Sequence, residues 1–185
     1  QRLRLKPGVN AKVRHSKTTA NEPAMNWICL PFAQLNTEQL YELMKLRVDV
    51  FVVEQTCPYN ELDNKDRNPG CYHLLGYQES DQEGQDGQDG QLAAYSRLLA
   101  PGISYEHVSI GRIVTSPAHR GNGLGQLLIN TAITQCRQLW PHCAIDIGAQ
   151  LHLSDFYGRF GFKAFSDSYL EDDIPHIDMR LSPAP

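Results

Sequence analysis

Three glycines stand at alternate positions in the stretch RGNGLG, directly before a helical apolar repeat that begins at Leu124. The first turn of a helix offers unpaired N–H groups and a partial positive charge, so it attracts anions. Gly121, Gly123 and Gly125 leave room for phosphate oxygens to approach the main chain, because they carry no Cβ. Arg120 adds a full positive charge. The stretch therefore predicts a site for a phosphate-bearing ligand.

Two common phosphate-binding patterns do not fit this stretch. A P-loop needs a Lys-Ser or Lys-Thr pair after its glycines, and none follows here. A dinucleotide-binding turn needs a third small residue where this chain has Gln126. What remains is the pattern Arg-x-x-Gly-x-Gly.

That pattern, placed after IGRIVTSPAH, resembles the coenzyme A diphosphate loop of the GNAT N-acetyltransferase superfamily. A second motif of the superfamily, FYxxxGF on a late helix, is matched by Phe156, Tyr157, Gly161 and Phe162. Long runs over about residues 26–181 are similar to the ElaA branch of that superfamily. They include LRVDVFVVEQTCPYNELD, YSRLL, IGRIVTS, GAQLHLSDFYGRFGF and DDIPHIDM.

The resemblance implies a mixed α/β (α+β) domain, in which two parallel strands of the central sheet splay apart around acetyl-CoA. Those strands would be residues 107–115 and 143–149, and no metal is implied. Main-chain groups near Ile113 and Val114 would then bind pantetheine and the thioester carbonyl. The loop residues expected to bind the cofactor, together with Tyr157, are Arg120, Gly121, Asn122, Gly123, Leu124, Gly125 and Gln126.

Acetyl transfer to an amine also needs a base for the amine and a proton donor for the thiolate. Tyr157 matches the tyrosine that commonly serves as the acid in this superfamily, although it could simply pack the short helix. Many relatives carry a carboxylate near the position of Ser109 here, which leaves the base open. Glu54 and Asp63 are the candidates, and both could equally be surface carboxylates near a loop.

Two further side chains are candidates for binding substrate. Arg112 is unusual within a strand, and we expect it to pair with an acid such as Asp146 or to hold a substrate carboxylate. His152 could orient substrate or cofactor, but a histidine in the first turn of a helix often only faces water.

The apolar periodicity predicts the elements that position these residues. A helix capped by Asn36 or Thr37 continues into VFVVEQ, and a second runs from Leu124 to just before Pro141. The acidic, glycine-rich stretch 79–91 predicts an exposed hairpin loop. The remaining expected elements are strands 27–32, 71–78, 92–99, 162–168 and 176–181 and a short helix over 152–160.

Composition limits the class of protein. The chain has 185 residues and a net charge of −4. Residues 1–24 carry six basic residues against Glu22, a net of +5, so the remainder carries −9. We expect a basic arm over 1–24 outside the core and a single domain over 25–185. The acidic body argues against nucleic acid, and no apolar run is long enough to span a membrane. Five cysteines without paired spacing favour a reducing cytoplasm.

These features favour an acetyl-CoA-dependent N-acetyltransferase that acts by direct attack of a primary amine in a ternary complex. The alternatives are a non-catalytic acyl-CoA-binding module and a nucleotide-binding regulator. The acceptor stays open between a small amine, a polyamine, an antibiotic and a protein lysine. A homodimer is possible, since dimers are common in the superfamily.

Overall fold

The structure, a computed structural model, describes residues 13–14, 25–78 and 90–183. The helices of this part are α1 (Thr37–Arg47), α2 (Leu124–Leu139) and α3 (Ser154–Gly158), and a π-helical segment (Val48–Glu54) extends α1. Short 3-10 turns lie at Phe32–Gln34, Lys65–Arg67, Pro117–His119 and Leu151–Leu153. The strands are β1 (Val13–Arg14), β2 (Met25–Pro31), β3 (Cys71–Gln78), β4 (Gln91–Leu99), β5 (Val108–Thr115), β6 (Ile145–Gln150), β7 (Lys163–Ala164), β8 (Tyr169–Glu171) and β9 (Ile174–Leu181).

One sheet holds all these strands in the order β1-β2-β3-β4-β5-β6-β9-β7, with β8 also paired to β9. Every pair is antiparallel except β5 and β6, which run parallel. The parallel pair is joined only at Val108 with Ile145 and at Ser109 with Asp146. Beyond these positions the two strands diverge, so the sheet opens between them. The predicted mixed sheet with splayed parallel strands is confirmed.

A β-bulge shapes β5 at the point where the sheet opens. Tyr95 of β4 pairs with Val114 and Arg97 pairs with Gly111, so one residue of β4 faces two residues of β5. The extra residue lies at Arg112, whose φ of 52° is in the left-handed region. Such bulges bend a strand and re-aim its main-chain groups. The β5 backbone therefore leaves the regular ladder with β4 where its pairing with β6 has already ended.

Two apolar clusters cover the two faces of the sheet. On one face α2 buries the side of its surface that carries Leu124, Leu128 and Ala132, as its apolar repeat predicts. On the other face Leu43 and Leu46 of α1 pack with Tyr95 and Val114. Asn36 caps α1. Its side-chain oxygen accepts from the main-chain N–H of Gln39 at 2.8 Å, and the Gln39 side chain accepts from the main-chain N–H of Asn36.

One expected strand differs from the structure. A continuous strand over 162–168 is wrong, because β7 ends at Ala164 and β8 starts only at Tyr169. Ser166 ends the pairing there by accepting the N–H of Asp178 on its side-chain oxygen at 3.0 Å. Within the 1–24 segment, β1 pairs with the edge of β2, so these two residues extend the sheet. The expected hairpin loop lies mostly at residues 79–89, outside the described residues.

Candidate active site

The glycine loop leads into α2 through main-chain conformations that favour glycine. Gly121 and Gly123 have φ values of 93° and 76°, and a Cβ at either would meet no atom within 4 Å. Gly123 is the N-cap residue and provides no side-chain cap. Within the described part of the chain, the N–H groups of residues 121–125 donate no hydrogen bond. The loop therefore presents a row of free donors on an open surface.

Arg120, at the start of this loop, is paired with Glu54. Its two Nη atoms donate to the two carboxylate oxygens at 2.7 and 3.0 Å, and both side chains are 42% exposed. The hydrogen bond from Arg120 holds the pKa of Glu54 below its usual value. One predicted base and one predicted cofactor residue are thus partners of each other, at the end of the π-helical segment.

A cavity of about 530 Å³ lies where β5 and β6 diverge. The bulge residues Gly111, Arg112 and Ile113 line it on one side, and Gly148 and Gln150 of β6 line it on the other. Ser109 lies at the apex of the split, where its buried Oγ has no partner among the described residues. The cavity therefore borders the part of β5 that is paired with β4 on one side and has no partner strand on the β6 side.

One wall of the cavity is the edge of a network of carboxylates and arginines, which we call the ion-pair wall. Its members are Arg47, Glu61, Asp63, Asp66, Arg97 and Arg112. Asp63, Arg97 and Arg112 line the cavity, and ion pairs join the other members to them. Arg47 is fully buried and bonds both Glu61 and Asp66. Arg112 lies 2.6 Å from Glu61 and over the ring of Tyr59.

The expected pairing of Arg112 with Asp146 is therefore wrong. Asp146 is fully buried and instead accepts two hydrogen bonds from Arg180, at 2.7 and 2.9 Å. The bulge turns Arg112 toward the segment that carries Glu61. Neither the bulge nor that loop segment is visible in a periodicity pattern.

Asp63 lines the cavity, but its carboxylate is bonded to Arg97. Arg97 donates to both of its carboxylate oxygens at 2.7 Å. Burial alone would raise the pKa of Asp63, but the hydrogen bonds and charge of Arg97 outweigh it and lower that pKa to about 2. Transfer of a proton from an ordinary ammonium to such a carboxylate is uphill by roughly 11 kcal/mol. Asp63 is suited to holding Arg97 in place, not to accepting a proton.

Tyr157, on α3, is buried and lines the same cavity. Its ring lies edge-on to Phe156 and Phe162, which fix its position. Its hydroxyl has no hydrogen-bond partner among the described residues. Burial raises its pKa to about 12, so it stays protonated and can donate at neutral pH.

The opposite wall, formed by β6, β8 and β9, carries aromatic and polar groups, and we call it the open wall. Asp178 accepts hydrogen bonds from Tyr105 at 2.7 Å and from Tyr169 at 2.9 Å on one carboxylate oxygen. Gly148 leaves room for them, because a Cβ there would lie 2.9 Å from the Tyr105 hydroxyl. His176 lines the cavity beside them and stacks on Tyr169.

The other predicted site residues lie in different surroundings. His152 is exposed and does not line the cavity. Asn122 and Gln126 are exposed on the glycine loop, whereas the side chains of Leu124 and Val114 are buried in the two apolar clusters. Only the main-chain groups of those last two residues can face a ligand.

Sequence reasoning missed Glu61, Tyr105, His176 and Asp178. Alternation along β9 holds the one available signal, since Ile177, Met179 and Leu181 face the core and leave His176 and Asp178 on the other face. For Glu61 and Tyr105, which lie in irregular segments, no such signal exists.

One cluster in the described part of the chain has metal-ligand chemistry, formed by Asp66, Cys71 and His73. Two arginines already bond the carboxylate of Asp66. The ring nitrogens of His73 contact the Tyr95 hydroxyl at 2.8 Å and the Asp66 carbonyl oxygen at 3.1 Å. Burial lowers the pKa of His73 to about 4 and raises that of Cys71 to about 12. This is a satisfied core cluster beside two cations, so we assign no metal to it.

Known proteins share this sequence and this fold. The family model of the GNAT acetyltransferase domain matches residues 87–183. The Escherichia coli protein ElaA is 39% identical over 84% of this chain and 95% of its own length. Among solved structures, an acyl-CoA N-acyltransferase from Pseudomonas aeruginosa superposes with a TM-score of 0.75 at 43% identity, covering 85% of this chain and 99% of that one. Escherichia coli ElaA superposes with a TM-score of 0.73 at 38% identity, covering 84% of this chain and 98% of its own. Among the described residues, no helix has the length and apolarity to cross a membrane.

Proposed function

Because this chain belongs to the GNAT acetyltransferase family, in the branch that includes ElaA, we propose that it transfers an acetyl group from acetyl-CoA to a primary amine. The amine attacks directly while both substrates are bound. The observation that carries this proposal is the cavity itself. It is lined both by the bulged stretch of β5, which has no partner on β6, and by Tyr157 of α3.

The diphosphate of acetyl-CoA fits the glycine loop. The free N–H groups of residues 121–125 match its need for several directed donors, and the positive φ values of Gly121 and Gly123 aim them outward. Arg120 adds charge, and Glu54 sets the direction of its guanidinium. Asn122 and Gln126 are exposed at the same edge and can add side-chain contacts.

Main-chain groups of β5 suit the pantetheine and thioester. Past Ser109 this strand has no partner on β6, so its N–H and C=O groups can pair with an extended ligand as a strand would. The bulge leaves Arg112 and Ile113 without a regular ladder position on β4. An N–H donor near Ile113 would stabilise the oxyanion that forms when the carbonyl is attacked.

Tyr157 acts on the leaving thiolate as a hydrogen-bond donor. Full transfer of a proton from a phenol of pKa about 12 to an ordinary thiolate is uphill by roughly 5 kcal/mol. The hydroxyl therefore stabilises the developing charge while the C–S bond breaks, and the final proton comes from the amine or solvent.

Calorimetry with acetyl-CoA and thiol release over a panel of primary amines test this proposal. We expect Gly123→Val to weaken acetyl-CoA binding at least tenfold, since the side chain strains the loop and covers its donors. Gly102→Val is the matched control, because Gly102 also has a positive φ (84°) and open space around it. Equal binding by both variants would overturn the assignment of the loop. Tight binding without transfer to any amine would favour the non-catalytic acyl-CoA-binding module.

A further inference from the structure

A primary amine must lose a proton before it can attack, and the side chains assigned above do not accept one. Keeping a lysine-like amine neutral at pH 7 costs roughly 4–5 kcal/mol. Both oxygens of Asp63 are bonded to Arg97, and both oxygens of Glu54 are bonded to Arg120. Tyr157 stays protonated. Another side chain of the cavity with an unused lone pair would supply this function.

His176 lies on the face of β9 that borders the cavity. In the β6–β9 ladder it is the partner of Gln150, and Asp178 is the partner of Gly148. Gly148 and Gln150 line the cavity, whereas Ile147 and Ala149 face the core, so strand alternation points His176 to the same side. The bulge of β5 lines the cavity across the split from β6. His176 and the expected thioester position therefore share one cavity.

One nitrogen of the His176 ring is already committed and the other is not. Nδ1 lies 2.8 Å from the carbonyl oxygen of Ile174. A carbonyl can only accept, so Nδ1 carries a proton in this contact. In the neutral ring Nε2 then bears the lone pair, and it has no hydrogen-bond partner within the described residues. Stacking on Tyr169 keeps the ring in this orientation.

We propose that His176 is the general base that takes the proton of the acceptor amine through Nε2. This inference rests on the proposed function. Among the histidines of the described residues, His176 is the one that lines the cavity, and imidazole is the side chain whose charge changes nearest neutral pH.

The step balances with the groups present. Nε2 takes one proton from the ammonium form of the amine, and the freed nitrogen lone pair forms the new C–N bond at the thioester carbonyl carbon. The C–S bond then breaks and the sulfur leaves with its electron pair, while Tyr157 donates a hydrogen bond to it. The second proton that the nitrogen loses goes to the thiolate. The proton on His176 leaves to solvent, so the products are the amide, the free thiol and the neutral ring.

Other titratable groups lie on the elements packed near the ring. Tyr169 and Glu171 lie on β8, and Asp172 lies in the turn before β9. Cys57 follows the π-helical segment, and its Sγ is 3.8 Å from the Asp172 carbonyl oxygen. Tyr105 enters from the β4–β5 connection, and Asp63, Lys65, Arg97 and Arg112 line the rest of the cavity. The negative charges of Glu171 and Asp172 favour the approach of a cationic amine to this end of the cavity.

His176→Asn tests the proposal, because an asparagine amide can keep the bond to the Ile174 carbonyl but cannot act as a base. We expect kcat to fall about 100-fold for the best amine of the panel, with unchanged acetyl-CoA binding. The ratio of wild-type to variant kcat should fall as the pH rises toward the pKa of that amine, because more of the amine is then already neutral. A structural defect would not produce this pH dependence. His142→Asn is the matched control, since His142 is exposed in a turn with a φ of 64° that asparagine tolerates.

Nitrogen NMR of the imidazole rings supplies a readout that needs no acceptor. At neutral pH the His176 signals, identified by their loss in His176→Asn, should show a protonated Nδ1 and a bare Nε2. The opposite tautomer, or wild-type turnover in His176→Asn, overturns the role of His176 alone. Failure of the wild-type protein to acetylate any amine overturns the proposed function together with it.

Discussion

Both walls of the cavity carry polar side chains, but the hydrogen-bonding groups of those side chains are used differently. In the ion-pair wall each carboxylate is matched by an arginine, at distances of 2.6–3.7 Å for the pairs through Asp63, Asp66 and Arg112. In the open wall the Nε2 of His176 has no partner among the described residues. The carboxylates of the ion-pair wall are already bonded to arginines, whereas the open wall contains one ring nitrogen that can still accept a hydrogen bond.

The pKa values follow the same division. Bonds from arginine keep the pKa values of Asp63 and Asp66 low despite their burial, so both stay charged and paired. In the open wall, burial and a bond to Asp178 raise the pKa of Tyr169 to about 12, so it serves as a donor. A titratable residue in a cavity is therefore not enough to identify a base. What matters is whether its lone pair is already used.

The largest effect is expected from breaking the ion-pair wall at Arg47. Arg47→Met leaves Glu61 and Asp66 buried without their main partner, which should cost about 3–5 kcal/mol of stability. Urea denaturation measures the loss. Lys45→Met, which removes an exposed pair with Asp49 one turn away, is the control and should leave the midpoint unchanged. Equal midpoints for the two variants would show that the network does not support the fold.

Acid should weaken the same wall. The pKa of Asp63 is about 2 in the folded protein and near 3.9 when unfolded, so its contribution is complete above the unfolded value and lost as the pH falls toward 2. We expect Asp63 to contribute roughly 2 kcal/mol at pH 6, most of which is lost by pH 2, where the folded carboxyl is about half protonated. Urea titrations of wild type and Asp63→Asn across this range measure the difference. If the difference in free energy of unfolding between the two proteins did not narrow on acidification, the low pKa of Asp63 would be contradicted.

A smaller effect is expected at Tyr157, where a single free hydroxyl is removed. Tyr157→Phe should lower kcat about tenfold to 100-fold, because the developing thiolate loses its donor, while the aromatic packing remains. Thiol-release kinetics measure the change in kcat, and calorimetry shows whether acetyl-CoA binding has changed as well. Phe160→Leu, at the end of the same aromatic cluster, controls for loss of packing alone. Unchanged kcat in Tyr157→Phe would remove this role.

The smallest effect is expected at Glu54. Glu54→Gln removes a negative charge beside the proposed diphosphate site, so the KM for acetyl-CoA should fall a few-fold at low salt and the change should fade at high salt. The kcat should stay the same, because the carboxylate is committed to Arg120. A large fall in kcat would instead identify Glu54 as the base.

The elements and their order could be predicted from the sequence to a large extent. Strand β3 and helix α2 have strong periodicity and lie within a residue or two of the predicted bounds. The loop at residues 120–126 was visible because glycine spacing and a following helix are both local features. The prediction of a strand over 162–168 was wrong because the partners there are set by another strand: the Asp178 N–H of β9 donates to the side-chain oxygen of Ser166 instead of to a main-chain carbonyl.

The amino-acid order by itself determined most of the helices and strands, the position of the glycine loop and the family that the chain resembles, since each depends on residues close together in the chain. Tertiary structure alone decided that Arg112 meets Glu61, that Arg120 meets Glu54 and that His176 keeps a free nitrogen in the cavity. Each of those depends on which distant segments occupy a side chain's bonding groups, and only the assembled sheet brings such segments together.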